Sequence, residues 1–291
     1  MNKEHKESWN KETPLFYACE NGNETIVKYL VEHGANLNIE NDYSSTPLFN
    51  ACNSGNEAIV KYLIEHGMNI NKINKSDETP LFYACSSGNE AIVKYLVKLG
   101  VNINKSKFGF ETALFNACKS GNEAIVKYLI ESGADINKEN LYRETPLFNA
   151  CKSGNKTMVK YLIEHGADTN KENNSGATLL FNACLSGNEA LVKYLVELGA
   201  DINKKCDYAD VPTPIFEACF SGSIAVVKFL VELGVDINIA NYIGETPLFS
   251  ACRSGNETVV KYLIEQKVDV NKENYEGQTP LFDACRNDMK Q

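Results

Sequence analysis

Nine cysteines recur at one position of a repeated pattern, and their number first suggests a metal centre or a redox centre. Zinc is bound by several ligands around one point, and a disulfide needs two Cα atoms within about 7 Å of each other. These cysteines are 33 or 35 residues apart, so each belongs to a different repeat. Because helices packed in successive repeats lie roughly 10 Å apart, we predict that the nine are small apolar residues of the core. They are Cys19, Cys52, Cys85, Cys118, Cys151, Cys184, Cys219, Cys252 and Cys285.

The remaining reactive residue types give no stronger sign of catalysis. His33, His66 and His165 share one repeat position near the end of a predicted helix, where an imidazolium suits the helix dipole. The sequence has no G-x-x-x-x-G-K-S/T phosphate-binding loop. Cys206 lies outside the cysteine pattern, and both an exposed reactive thiol and an ordinary loop thiol fit it. We therefore predict no catalytic residue, no metal site and no cofactor, so that the chain is not an enzyme.

Composition and charge favour a cytoplasmic, and so intracellular, protein. The formal net charge is −9, which repels phosphate backbones and excludes nucleic acid as the expected partner. No apolar run approaches the roughly 20 residues that cross a bilayer, so membrane insertion is not expected. The first ten residues contain no apolar signal segment. Without export, the cysteines are expected to be reduced thiols.

A single period organises the elements that carry these residues. The string Thr-Pro-Leu-Phe, or a close variant of it, begins at nine threonines spaced by 33 residues, with one spacing of 35. Residues between Asn203 and Thr213 must therefore contain an insertion of two. The nine threonines are Thr13, Thr46, Thr79, Thr112, Thr145, Thr178, Thr213, Thr246 and Thr279.

Each repeat predicts two short helices and a projecting turn. The Thr is placed to cap a first helix that begins at Pro and ends near a Gly. An Asn caps a second helix, whose acidic first turn suits the helix dipole and whose end has another Gly. An extended, Asn-rich stretch leads to the next Thr. Helix pairs this short cannot bury their apolar faces alone, so stacking of identical pairs is required.

The repeat resembles that of the ankyrin family. One repeat reads TPLFNACKSGNKTMVKYLIEHGADTN from Thr145 to Asn170, and its Thr-Pro, two glycines and final Gly-Ala-Asp-x-Asn match the family pattern. The resemblance implies an all-α ankyrin-repeat α-solenoid of paired antiparallel helices with projecting β-turn loops. We predict an N-terminal segment at 1–9 and a repeat domain at 10–291, with repeats at about 10–39, 43–72, 76–105, 109–138, 142–171, 175–204, 210–239, 243–272 and 276–291.

Two departures from the family pattern have physical consequences. The family's His after Thr-Pro-Leu is Phe in all nine repeats, as at Phe49 and Phe148. This change predicts a buried ring in place of a polar tie between neighbouring turns. Lys267 stands where a Gly is expected after the second helix of the eighth repeat, and a left-handed conformation there should cost about 1 kcal/mol.

The resemblance implies a protein-protein interaction scaffold that binds its partner along a concave groove and at the turn tips. The alternative is a targeting or substrate-recruiting segment of a larger protein whose enzyme or channel domain lies outside this chain. The groove is expected at first-helix positions that vary among repeats, although drift at solvent positions gives the same picture. The candidate groove residues are Tyr17, Asn50, Tyr83, Asn116, Asn149, Asn182, Leu185, Glu217, Phe220 and Arg253.

Aromatic residues in the projecting turns are the second set of candidates, because exposed aromatic rings favour interfaces. The alternative is that about half of them pack back onto the next turn. They are Tyr43, Phe108, Phe110, Tyr142, Tyr208, Tyr242 and Tyr275. Leu185 and Phe220 are the two apolar residues of the groove set and flank the insertion, so we predict the main contact site there.

Three further expectations concern the ends and the linkers. Residues 1–11, with Trp9, are a candidate lid over the apolar first repeat, and the polar residues after Asp283 are a candidate cap. Alternatively, the chain is a piece of a longer array. The resemblance also implies that linker asparagines such as Asn137 and Asn170 are substrates for hydroxylation in a host with the appropriate oxygenase.

Overall fold

The computed structural model describes residues 10–206 and 213–288. These residues form seventeen α-helices, and their only extended pairing is an isolated bridge between Ser106 and Thr112. None of the described helices is long and apolar enough to span a bilayer. The chain divides into two compact units, an N-terminal unit at 1–141 and a C-terminal unit at 142–291.

The N-terminal unit contains four helix pairs. Within a pair the helices contact each other, and each first helix packs on the first helix of the next repeat. The helices are α1 (Pro14–Glu20), α2 (Glu24–Glu32), α3 (Pro47–Ser54), α4 (Glu57–Glu65), α5 (Pro80–Ser87), α6 (Glu90–Lys98), α7 (Ala113–Ser120) and α8 (Glu123–Glu131).

The C-terminal unit contains four further pairs and a final single helix, stacked in the same way. Its helices are α9 (Pro146–Lys152), α10 (Lys156–Glu164), α11 (Leu179–Ser186), α12 (Glu189–Glu197), α13 (Pro214–Ser221), α14 (Ile224–Glu232), α15 (Pro247–Ser254), α16 (Glu257–Glu265) and α17 (Pro280–Asp288).

The third repeat shows how the sequence sets these bounds. Thr79 is extended, with φ −104°, and α5 begins at the next residue, Pro80. The helix ends at Gly88, whose φ of 74° is in the left-handed region that favours glycine. Asn89 then caps α6, because its side-chain oxygen accepts a hydrogen bond of 3.1 Å from the backbone N–H of Ile92. The predicted asparagine cap is confirmed.

The same asparagines also join neighbouring repeats. The side-chain amide of Asn89 donates to the carbonyl oxygen of Gly55 at 2.7 Å, and that of Asn122 donates to Gly88 at 2.9 Å. In the C-terminal unit, Asn188 donates to Gly154 at 2.8 Å. One asparagine therefore satisfies a helix N-terminus and, at the same time, a helix C-terminus in the preceding repeat.

The predicted capping by threonine is wrong in one respect. The threonines occupy the N-cap position, but their side chains accept no capping hydrogen bond from the described helices. Five hydroxyl oxygens are buried and have no hydrogen-bond partner among the described residues. They belong to Thr46, Thr112, Thr145, Thr178 and Thr213.

All nine repeats have Phe at the position of the ankyrin pattern's His, and a phenyl ring offers no hydrogen-bonding atom to these hydroxyls. The rings are buried as predicted: Phe16 and Phe148 are 0% and 1% exposed. Each such ring removes apolar area from water and contributes roughly 1.5–3 kcal/mol. The ninth repeat differs, because Leu281 and Phe282 are 68% and 50% exposed.

The projecting turns are joined by backbone hydrogen bonds from one turn to the next. Lys75 N–H donates to the carbonyl oxygen of Tyr43 at 2.9 Å, and in the C-terminal unit Tyr275 N–H donates to Ile243 at 2.9 Å. Phe110 has a φ of 66°, an uncommon conformation for a bulky residue. Lys267 has a φ of 64°, which confirms the expected left-handed position after α16.

Candidate interaction surface

The candidate groove residues of the N-terminal unit lie on its first helices. Tyr17 is 41% exposed, whereas Asn50, Tyr83 and Asn116 are half-buried. An open depression of about 350 Å³ lies beside Tyr17 on the first repeat and is lined mainly by apolar side chains, including Ile26. The lid predicted for this face consists mostly of residues outside the described part of the chain.

Two of these residues are already used inside the fold. The Tyr83 hydroxyl donates to the carboxylate of Glu78 at 3.0 Å and accepts from the amide of Asn74 at 3.2 Å. Burial, together with the negative charge of Glu78, raises the pKa of Tyr83 to about 12. The amide of Asn116 donates to Ser86 in the preceding repeat at 2.9 Å. These polar atoms are therefore less available to a partner.

Four candidate residues of the C-terminal unit form what we call the Leu185 patch: Asn182, Leu185, Glu217 and Phe220. Asn182 and Leu185 are three residues apart on α11, and Glu217 and Phe220 are three residues apart on α13. Residues three apart share one helix face, and α11 packs directly on α13. Phe220 is 47% exposed, while the other three are half-buried.

The polar groups of the Leu185 patch are not used inside the fold. Among the described residues, neither the Asn182 amide nor the Glu217 carboxylate forms a hydrogen bond. Burial raises the pKa of the Glu217 carboxyl, and the positive charge of Lys152 on α9 partly opposes this shift. Sequence reasoning did not identify Lys152 as a site residue, although it occupies the helix position equivalent to Leu185 and Phe220.

Next to the patch, Arg253 on α15 is held in an internal ion pair. Its guanidinium lies 2.8 Å from the carboxylate of Glu245 and 2.7 Å from that of Asp283. Both carboxylates are buried, at 6% and 9% exposure for the whole residues. Arg253 therefore neutralises two acidic groups of the fold, a role that its sequence position did not indicate. Asn149, on α9, is half-buried.

The described aromatic residues of the turn tips are all exposed. Tyr208 lies outside the described residues. The other six each have more than half of their surface exposed, and the ring of Tyr275 lies against Gly244 of the preceding turn. Their exposed fractions are 61% for Tyr43, 78% for Phe108, 54% for Phe110, 66% for Tyr142, 58% for Tyr242 and 80% for Tyr275.

The cysteines lie as the core prediction requires. Eight of the nine periodic thiols are buried, and Cys285 in the last repeat is exposed. Burial raises the pKa of the Cys19 thiol to about 12 and also raises the pKa of Cys151. A nucleophilic cysteine needs a lowered pKa instead.

No disulfide joins cysteines of the described residues. Those residues also contain no cluster of three His, Cys, Asp or Glu side chains placed to hold a metal ion. Cys206 is buried at 8% exposure, which argues against the interpretation as an exposed thiol.

The three helix-end histidines have a structural role. The Nδ1 atom of His33 lies 2.8 Å from the carbonyl oxygen of Tyr29, and the two rings stack at 4.0 Å. His66 and His165 repeat this arrangement with the tyrosine four residues before each. The side chains thus satisfy a carbonyl of the last helical turn, in agreement with the predicted helix-end position.

Comparison with known proteins gives one family and one fold. The family model described as ankyrin repeats (3 copies) matches residues 1–74, 69–140, 114–206 and 215–291. The crystal structure of the human ASB11 ankyrin repeat domain is similar, with a TM-score of 0.63 and 28% sequence identity, over 77% of this chain and 99% of that chain. No curated protein sequence gives a significant match.

Proposed function

This chain belongs to the ankyrin repeat family, and we propose that it is a protein-binding scaffold without catalytic activity. Ankyrin repeats are in general protein-protein interaction modules. The observation that carries the proposal is the Leu185 patch, where two apolar side chains lie beside polar groups that the fold leaves unsatisfied among the described residues. Contact sites of protein interfaces combine apolar anchors with polar groups in this way.

The partner is proposed to lie along the first helices and to reach the turn tips. Exposed aromatic rings at the tips provide contact area at a low cost in side-chain entropy. Phe110 supports this role, because a bulky side chain at φ 66° costs stability and here lies exposed at a turn tip. We further propose an intracellular location, which the unlinked cysteines of the described residues support.

Affinity capture from the source cell tests the proposal. The bait is the full chain, beside a double variant carrying Leu185→Asp and Phe220→Asp. We expect the variant to lose at least tenfold of the captured partner, since two buried apolar contacts are replaced by desolvated charges. Circular dichroism should show an unchanged helical content, because neither residue belongs to the fully buried core.

A matched control separates loss of contact from added negative charge. Leu198 and Leu233 are 50% and 44% exposed and follow the second helices of the same two repeats. The double variant Leu198→Asp and Leu233→Asp adds the same charge away from the first-helix surface and should capture the partner normally. Equal capture by all three proteins would contradict the proposed contact site.

A further inference from the structure

The Leu185 patch carries a charge that the fold does not satisfy. Glu217 is half-buried, and among the described residues no donor forms a hydrogen bond to its carboxylate. Lys152 acts on it only through its charge, from a helix two repeats back. A carboxylate withdrawn from water without hydrogen bonds is costly, so a donor supplied by another molecule would recover that cost.

The last two repeats show how an acidic groove residue can be paired within the fold. At the position of Glu217 in the last repeat, Asp283 is buried and bound by Arg253. Thus one acidic groove residue of the C-terminal unit has an internal guanidinium, whereas Glu217 has none among the described residues. Arg253 belongs to the repeat before Asp283, and the equivalent position in the repeat before Glu217 is Leu185, which supplies no cation. Phe220 follows Glu217 on its own helix and leaves an exposed aromatic face beside it.

This comparison indicates which chemical group of a partner would pair with the Glu217 carboxylate. A guanidinium binds a carboxylate through two parallel hydrogen bonds and stacks on an aromatic ring, and an ammonium group does neither as well. Glu217 and Phe220 lie on one helix face, so one guanidinium can reach both. Leu185 on the adjacent helix offers an apolar contact for a neighbouring side chain. The net charge of −9 favours the approach of a basic segment.

We infer that the Leu185 patch binds a protein segment that places an arginine on Glu217 and Phe220 and an apolar side chain on Leu185. The inference rests on the proposed function and adds to it the chemistry of the partner. Glu217 is the specificity residue of the patch, since the carboxylate selects the cation. Leu185 and Phe220 supply the apolar contact on either side of it.

A random peptide library displayed on phage and selected on the full chain provides the test. We expect selected peptides to carry an arginine within one or two residues of an aliphatic or aromatic residue. Binding of one such synthetic peptide, measured by fluorescence polarisation, should weaken about tenfold for Glu217→Gln and for replacement of the peptide arginine by lysine. Glu232→Gln, which makes the same charge change at the end of α14, should bind within twofold of the unmodified chain.

The free energy of unfolding provides a second measurement. It should rise for Glu217→Gln if Glu217 serves binding, and fall if Glu217 serves the framework. Because burial disfavours the ionised carboxyl, Glu217→Gln should raise the midpoint of urea unfolding while it lowers affinity. A fall in both stability and affinity would overturn the inference and assign Glu217 to the framework.

The failure of the inference is distinguishable from that of the proposed function. Peptides that require Leu185 and Phe220 but carry no cation, or that bind Glu217→Gln normally, overturn the arginine assignment and leave the patch as a contact site. Peptides that bind the Leu185→Asp and Phe220→Asp variant normally, or a selection that enriches none, count against both.

Discussion

Replacing Thr145 by Val should stabilise the protein, because the Thr145 hydroxyl is buried without a hydrogen bond among the described residues. The residue is 0% exposed and has an extended backbone, with φ −100°, which a β-branched side chain accepts. Its side chain forms no capping bond, so the usual cost of losing an N-cap does not apply. Removing an unsatisfied buried hydroxyl relieves about 1–3 kcal/mol, and the added methyl group contributes up to about 0.8 kcal/mol.

Crowding of the larger methyl group reduces this gain, so we expect a net stabilisation of about 1 kcal/mol, equivalent to roughly fivefold in the folded-to-unfolded ratio. Urea unfolding followed by circular dichroism measures the global change, and native-state hydrogen exchange in α9 measures the local one. Thr145→Ser is the control: it keeps the hydroxyl, loses a buried methyl group and should lower stability by about 1 kcal/mol. A loss of more than about 0.5 kcal/mol for Thr145→Val would show that the hydroxyl has a partner, and would refute the reasoning.

Three other substitutions or reactions test separate features. Asn89→Ala removes both the cap of α6 and the bond to Gly55, so urea unfolding should show a loss of about 2 kcal/mol, whereas Asn89→Ser should lose less. Lys267→Gly should gain about 1 kcal/mol at its left-handed position in the same assay, and Lys267→Ala should gain nothing. Iodoacetamide under native conditions should label Cys285 before Cys151, whose pKa is raised by burial; equal rates by peptide mass spectrometry would contradict the burial order.

The periodic features of this fold were predictable because they depend on backbone positions. Proline after threonine marks where α3 and α5 begin, and the acidic residue after Asn89 marks the start of α6. The left-handed conformation of Lys267 followed from its alignment with glycines of other repeats. The hydroxyl of Thr145 was misjudged, because an N-cap position does not by itself decide whether the side chain turns toward the helix.

The sequence predicted which helices carry the candidate residues, but not whether their side chains are free to bind a partner. Comparison of repeats identified Tyr83, Arg253 and Glu217 as variable first-helix residues. Whether each of them is free to bind depends on groups far along the chain or in the preceding turn. Arg253 is engaged by Asp283, thirty residues away, and Tyr83 by a glutamate of the turn before its helix. The partner of Arg253 lies in the next repeat, so no pattern within one repeat contains that information.

Two kinds of buried polar group lower the stability of this chain locally, and they have different origins. The unpaired hydroxyl recurs at Thr46, Thr112 and Thr145, so it belongs to the framework of the repeat. The unsatisfied carboxylate of Glu217 occurs once among the described groove residues, since the other repeats have Asn, Tyr or Ser at this position, or an Asp that Arg253 pairs. In a repeat array the stability is nearly a sum of local terms, so one repeat can carry a cost that its neighbours do not share. A cost confined to one repeat, on an exposed face beside Phe220, favours selection for binding over selection for folding.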